Sequence, residues 1–493
     1  MWNIFSFGGG TLLACTAATL VATIIVLRKR TRESGSKPAE EKETESKSDQ
    51  AIGTPEHSAR VRYKVMTYNI LAPDYANPAW FVGTNRGQLR WSNRQPKLFD
   101  QISEADADLL CLQEVQHGRC RREFEAFLHS RGYDTPYSMK CDHTGCFLPG
   151  SMTLGVLACW KRHRFRMIGT PRTISLSQYV THLFDGETFY ASGNFQVAIA
   201  TLLEELRDDS QEPRYILLMS VHMMAPRHDS DYRRKYEQLV QSFGLLQAIT
   251  DLKLDLKRRG LAVFTNPEPV HDGTTIGCAQ PYVPLQHQTR PSEEPLPTEV
   301  AVTSDSESKQ ASLPSDSHTD HCNSVDDDAT GNEKQSPRVM LVLAGDFNSP
   351  PTSASCELLK HGGESARKKI QILQQLFIDK SGRGTKKTVE FYSALNLDCS
   401  RFPTLVSAFE DVTGEEPQHT NFTANFRDCI DYIFLEQPRS PTAVHNNWLK
   451  PVEVVSYPHF DLVELFRGTP QRSLPSDQFP SDHLPVIVTL EEV

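Results

Sequence analysis

The chain has 493 residues, 38% of them hydrophobic and 23% charged, with a formal net charge of −10. That length accommodates two average domains or one large domain with tails, and the composition is that of a globular protein carrying some disordered sequence. The acidity is local: 13 Asp/Glu and three Lys/Arg lie between Thr265 and Ser336, which leaves the rest of the chain formally neutral and does not exclude a polyanionic substrate.

Ile4 to Leu27 carries no charge and is apolar apart from Ser, Thr and Gly, and Arg28-Lys29-Arg30-Thr31-Arg32 follows at once. A helix of that length spans a bilayer core of ~30 Å. No positive charge precedes the run, as a cleaved leader would require. Residues 1–32 are therefore expected to be a transmembrane signal anchor with its basic flank on the cytosolic side. A cleaved leader or a buried helix are the alternatives. The mitochondrial outer membrane or the endoplasmic reticulum suits such an anchor. Residues 33–59 are rich in Ser, Glu and Lys and read as a flexible tether.

From Arg60 the texture becomes that of a folded domain, expected to run to residue 493. Tyr63 to Ile70 alternates like a half-buried strand. Trp91 to Ala105 is predicted as an amphipathic helix with Leu98, Ile102 and Ala105 on one stripe. Asp108 to Glu114 is a buried strand ending in a carboxylate, and Phe195–Leu203 and Tyr215–His222 are two more strands. Ser230 to Arg259 is predicted as a long helix with Leu239, Phe243, Leu246 and Ile249 facing inward. Residues 266–337 are rich in Pro, Ser, Thr and acid without any period, and are expected to be a disordered insertion. A strand resumes at Val339. Ser355 to Phe377 is predicted to be helical with a break at His361-Gly362-Gly363, Ser381 to Lys387 is a basic loop, and Cys429–Phe434 and Val486–Leu490 are the last strands. Eleven cysteines form no CxxC pair, which argues against a disulfide framework or a zinc site. Cys111, Cys159 and Cys429 read as small buried hydrophobes, which favours a reducing compartment.

Six polar segments close these apolar runs: Tyr68-Asn69-Ile70-Leu71, Gln113-Glu114-Val115, Val221-His222, Gly345-Asp346-Phe347-Asn348, Ile430-Asp431-Tyr432-Ile433 and Ser481-Asp482-His483-Leu484-Pro485. A carboxylate such as Glu114 at the end of a buried strand is costly unless it is paired or holds a cation. Oxygen ligands without soft partners imply Mg²⁺, with Mn²⁺ as the substitute. Asn69 can offer a neutral oxygen to the same ion. Asp346 and Asn348, two apart in an extended segment, would point to one side, although an Asx-turn gives the same pattern. His483 can stabilise a phosphoryl group or ligate metal, and Asp431 can fix its tautomer. His222 can contact the phosphate. The set suits metal-assisted attack of water on a phosphate ester.

These segments resemble the endonuclease–exonuclease–phosphatase superfamily, and within it the nocturnin, angel and poly(A)-deadenylase branch. The resemblance is carried by Val65 to Ala72, Leu89 to Arg94, Ala107 to Val115, Thr420-Asn421-Phe422-Thr423 and Pro480 to Pro485. It covers the chain from about Arg60 onward, without the insertion. It implies an α/β fold, a four-layered α/β sandwich of the DNase I-like type. It further implies Glu114 and Asn69 as metal ligands, with Asp346, Asn348, Asp431, Asp482, His222 and His483 as catalytic residues. Pro226 and Phe426 would sandwich a base, and Asn194 joins them on the substrate side. Val221 departs from the usual Thr of the branch, and Met223-Met224-Ala225 is one residue short of its pattern.

The expectation is thus a membrane-tethered, Mg²⁺-dependent 3′-to-5′ exoribonuclease acting on A-rich RNA ends. The same fold would also serve a phosphatase or phosphodiesterase for a 2′,3′-cyclic-phosphate RNA end, a nucleotide cofactor or a lipid headgroup. A catalytically silent membrane adaptor, with the acidic insertion as a docking tail, is the non-enzymatic alternative.

Overall fold

The computed structural model describes residues 25–28, 61–140, 154–176, 196–207, 212–226, 230–265, 280–281, 338–381, 402–437, 449–456 and 473–493. Nine longer strands organise it: β1 (Arg62–Asn69), β2 (Leu109–Gln116), β3 (Leu154–Lys161), β4 (Val197–Glu205), β5 (Arg214–His222), β6 (Arg338–Asp346), β7 (Asp431–Glu436), β8 (Leu449–Ser456) and β9 (Val486–Glu492). The first sheet runs β8-β9-β1-β2-β3, and the second runs β4-β5-β6-β7. Short strands extend both. Ile25–Arg28 pairs antiparallel with β8, and Gln280–Pro281 pairs parallel with Arg172–Ser175, which flanks β4.

Alternation along the strands divides the core into three parts. Val65, Leu109, Cys111, Val156 and Ala158 of the first sheet meet Ile199, Ile216, Leu218, Val342 and Ile433 of the second in one apolar layer. The outer face of the first sheet (Met66, Tyr68, Leu110, Leu112) is covered by helices α1 (Trp91–Ala105) and α2 (Arg119–Ser130), through Leu98, Ile102, Phe124 and Leu128. The outer face of the second sheet (Leu217, Met219, Leu341, Leu343) is covered by α3 (Tyr232–Arg259) and α4 (Ala354–Ser381), through Leu239, Leu246, Ile249 and Leu358. The result is helix, sheet, sheet, helix: four layers, with both sheets hidden on both faces.

Helix α1 has the bounds expected from its periodicity. The α4 break falls at Gly362, whose φ of 78° leaves the helical region. Cys111, Cys159 and Cys429 are buried.

Several expectations need correction or fall outside the described residues. No helix among the described residues is long and apolar enough to cross a membrane. Ile25–Arg28, the end of the N-terminal apolar run, is a strand at a sheet edge rather than the close of a spanning helix. The rest of that run, the tether and the basic loop after Ser381 lie outside the described residues. So does the acidic insertion, apart from Gln280–Pro281, which pairs with a sheet and so departs from the expected lack of structure. Gly345 lies within β6. A Cβ there would stand 2.0 Å from the Val221 carbonyl oxygen, so close strand approach is what requires glycine.

Candidate active site

The inner faces of both sheets change from apolar to polar at one end, within a single step of the alternation. Along β5 the inward row Ile216, Leu218 continues to Ser220 and His222, and along β6 the row Val342, Ala344 ends in Asp346. Strand register places His222 opposite Asp346 and Asp346 opposite Asp431, so three adjacent strands present three polar groups side by side. Across the layer, Asn69 pairs with Gln113 between β1 and β2. Val221 points the other way, into the helical layer, so its departure from Thr does not touch this row.

Glu114 reaches the same end by a different device. Strict alternation with the inward Cys111 would turn it outward. The register of β2 against β3 shifts between Leu112 and Val115, and Glu114 takes a left-handed φ of 60°. This bulge re-aims the side chain, as bulges beside functional sites do.

The groups then converge. The Asn69 amide nitrogen donates to Asp346 Oδ2 at 2.8 Å and to Glu114 Oε1 at 3.2 Å, while its oxygen accepts from the Leu71 N–H at 3.0 Å. In this orientation Asn69 steadies both carboxylates as a donor. To ligate a cation it would have to turn its oxygen inward and release Leu71. Glu114 Oε2 accepts from the Ala72 N–H at 2.8 Å. His222 Nε2 lies 3.6 Å from Asp346 Oδ2 and 4.0 Å from Glu114 Oε1. His483 Nδ1 is 2.8 Å from Asp431 Oδ2, and its Nε2 is 3.8 Å from Asp346 Oδ2. The Asp482 carboxylate accepts from Asn421 Nδ2 at 3.4 Å.

Asn348 does not extend the strand beside Asp346 as expected. At φ 50° its own N–H donates to Asp346 Oδ1 at 2.8 Å, an Asx-turn, and its side-chain nitrogen donates to the Met223 carbonyl at 2.9 Å. It locks the carboxylate to the loop that follows His222.

Burial sets the charges. Glu114 is held above the usual carboxylate range by desolvation and by Asp482. Asp346 is raised by desolvation and by Asp431 beside it. His222 is pushed well below the ordinary imidazole range by burial, Lys140 and His483, and is neutral. At His483 burial opposes the charge, but Asp431, Asp482 and Asp346 outweigh it and keep the ring an imidazolium.

Lys140 was not visible in the sequence as a site residue, because a single lysine in an aperiodic stretch carries no signal. It lines the cleft, and burial lowers its pKa to about 8 against the pull of Glu114 and Asp346.

Arg94 stands out in the sequence only as the end of a motif, and in the fold it is a clamp. Its side chain is buried and donates to the carbonyls of Leu89, Ile70, Leu71 and Pro480, tying the segment after Asn69 to the segment before Asp482.

Glu114, His222, Asp346, Asp482 and His483 line a cleft of about 1350 Å³, with Tyr75, Trp80, Pro226, Ile372 and Phe426 also among its walls. Pro226 and Phe426 thus reach the cleft, while Asn194 lies outside the described residues. The donors suit a hard divalent cation. They are carboxylates, an amide and imidazoles without sulfur, and Asp346, Asp431 and His483 offer ligand atoms within 4.8 Å of one another. The raised Glu114 and Asp346 carboxyls are what buried acids without a compensating cation show, and Asp431 Oδ1 is buried without a hydrogen-bond partner.

The sequence matches the Endonuclease/Exonuclease/phosphatase family over residues 66–483. The chain belongs to that family. Its relatives there include mouse protein angel homolog 2, 36% identical over 108 residues, which are 22% of this chain and 18% of the relative. The CCR4-Not complex 3′-5′-exoribonuclease subunit Ccr4 of Saccharomyces cerevisiae is 23% identical over 436 residues, 88% of this chain and 39% of that protein. The chain therefore spans well under half the length of these relatives. Among solved structures, ANGEL2, a 2′,3′-cyclic phosphatase, in complex with adenosine-2′,3′-vanadate superposes with a TM-score of 0.51 at 18% identity. The match covers 89% of this chain and 97% of that one. At that identity the likeness carries the fold, the two-sheet sandwich of the family, and nothing finer.

Proposed function

We propose that this family member is a Mg²⁺-dependent phosphoesterase acting on RNA, removing nucleotides from A-rich 3′ ends. The observation that supports it most is the buried row His222–Asp346–Asp431, with Asn69 bonded to Glu114 and Asp346, and with Glu114, His222, Asp346 and His483 lining an open cleft. Glu114 would hold a divalent cation, with Asp346 and Asp482 beside it and Asn69 able to join once its oxygen turned inward, and the ion would supply charge to offset the negative charge growing on the phosphate oxygens.

The chain's own groups do the rest. Asp346 takes a proton from the attacking water, its carboxylate kept ionised by the charge a bound cation would supply. His483, charged and oriented by Asp431 at Nδ1, donates from Nε2 to a phosphoryl oxygen. His222, neutral, aligns a second oxygen, and Lys140 adds positive charge at the cleft wall. The P–O bond to the leaving ribose oxygen then breaks, that oxygen takes a proton from bulk water, and Asp346 returns its proton to solvent. Pro226 and Phe426 are suited to hold the terminal base between them. Attachment to a membrane through residues 4–24, the part of the apolar run before the Ile25–Arg28 strand, with the catalytic region facing the cytosol, belongs to the same proposal and rests on sequence alone.

A second reading is removal of a 2′,3′-cyclic phosphate from an RNA end, favoured by the fold likeness to ANGEL2. One experiment separates the two: the full-length protein with Mg²⁺ and end-labelled RNAs ending in A, in a non-A base, or in a cyclic phosphate. A ladder on the A-ended RNA, lost with EDTA or in Asp346→Ala, supports the exonuclease. Loss of the cyclic phosphate without shortening moves the activity to end processing. Inactivity on all three sinks both.

A further inference from the structure

Trp80 is 59% exposed, although a large aromatic side chain is usually covered. Its backbone is not loose. The Trp80 N–H donates to Asn77 O at 2.9 Å, and the next residue, Phe81, is buried with Leu71 and Leu89. Thr84 Oγ1 meets Ser473 Oγ at 2.9 Å. With Phe81 committed to that small core, Trp80 is left facing the cleft that holds Glu114, His222 and Asp346. Tyr75 backs it edge-on, with ring centroids 6.0 Å apart.

This segment hangs from the Glu114 wall. Asp74 exchanges hydrogen bonds with the Gln116 side chain at 2.7 and 3.2 Å, and the Ala72 N–H holds Glu114 itself. Phe426 hangs from the other wall. It is 37% exposed at the tip of a turn closed by Thr423, and the strand before that turn bridges to His483 through Asn421. The cleft thus carries two exposed aromatic side chains, Trp80 on the segment held to Glu114 and Phe426 on the segment bridged to His483, with Lys140, Arg234 and Lys235 among its lining groups. A lone phosphate or a lipid headgroup has no use for two aromatic faces. A single nucleic-acid strand does, because each base offers a π-face and the backbone between them offers phosphate to cations.

We propose that Trp80, supported by Tyr75, is a second base-stacking position, so that the cleft grips two nucleotides of one strand, one on either side of the phosphate at the floor. The inference rests on the RNA reading above and adds a residue and a minimum substrate length to it.

The test measures binding to the full-length protein by fluorescence anisotropy, with EDTA to prevent turnover. The probes are a short oligoadenylate and an abasic ribose-phosphate strand of the same length. Trp80→Ala is expected to weaken oligoadenylate about 5- to 150-fold and leave the abasic strand unchanged, while Trp80→Phe stays near wild type. If Trp80→Ala melts early, Trp80→Leu replaces it as a bulky residue without a π-face, and loss in Leu with retention in Phe supports the subsite equally. Equal loss on both strands, or no loss on either, overturns the subsite. If wild type shortens RNA and Trp80→Ala does so with an unchanged KM, the subsite alone falls. If wild type neither binds nor shortens RNA, the RNA reading falls and the subsite with it.

Discussion

The most direct probe of the site's frame is Gly345→Ala, because it acts between two catalytic strands without removing a catalytic atom. Gly345 lies opposite Val221 in the parallel β5–β6 pair, one step before His222 faces Asp346. The added Cβ would sit 2.0 Å from the Val221 carbonyl oxygen and 2.9 Å from its carbonyl carbon, backbone atoms that cannot rotate away. Relief requires the strands to part by more than about 1 Å out of a spacing of ~4.8 Å. Such overpacking costs ~1–3 kcal/mol, and lengthening two buried ladder bonds adds ~1 kcal/mol each. A total of ~3–5 kcal/mol lowers Tm by about 6–10 °C in a domain of this size. The same shift displaces His222 from Asp346, and a misplacement of ~1 Å costs about 100-fold in rate. Scanning fluorimetry and kcat on the A-ended RNA measure both effects. Gly260→Ala is the control: Gly260 caps the far end of α3 with nothing within 4 Å, and its φ of 57° and ψ of −144° lie in a region nearly reserved to glycine, so the substitution should lose about 1–3 kcal/mol without loss of kcat. A Gly345→Ala protein that melts with wild type and keeps its kcat would refute the register on which the site is built.

Arg94→Met strips four carbonyls of one buried donor and should cost ~3–5 kcal/mol, with Arg94→Lys failing to rescue because an ammonium cannot reproduce the planar fork; urea titration decides, and full rescue by Lys rejects the clamp. Asp431→Asn removes the anion that keeps His483 charged, so kcat should fall about 10- to 100-fold and the alkaline limb of the pH–rate profile should move to lower pH; an unmoved limb rejects the pairing. Cation binding and pH should be linked. Glu114 and Asp346 have raised folded pKa values, so their contribution to stability is present at low pH and lost as pH rises through those values. A cation needs them deprotonated, so the Mg²⁺-induced rise in Tm should be larger at about pH 7.5 than at about pH 5.5; an equal rise at both would count against these ligands.

What the sequence could announce were features local in the chain. The 3.6-residue stripe of Leu98, Ile102 and Ala105 sufficed to bound α1, and the paired glycines after His361 sufficed to break α4. A carboxylate, amide or imidazole ending an apolar strand flagged six segments without any contact being known. What stayed hidden depends on partners far along the chain. Asn69 reaches Asp346 across 277 residues, and Arg94 reaches Pro480 across 386. No period marks a lysine such as Lys140, which matters only because its segment ends beside Glu114. The bulge that turns Glu114 inward was equally illegible, since strict alternation predicts the opposite face.

That bulge belongs to a wider pattern. Four non-glycine residues among those described have positive φ, and three of them, Leu71, Glu114 and Asn348, adjoin the catalytic cluster. For such residues the left-handed region costs ~1–2 kcal/mol each, so the surrounding bonds must over-determine it. They do. Leu71 is held by the Asn69 oxygen at its N–H and by Arg94 at its carbonyl, Asn348 by Asp346 and Met223, and Glu114 by Ala72 and Asn69. The groups that relieve the strain are themselves in the site or clamp it. Backbone strain, carboxylate placement and the clamp therefore form one coupled unit, and paired substitutions such as Asn69→Ala with Asp346→Asn should lose much less together than the sum of their separate losses.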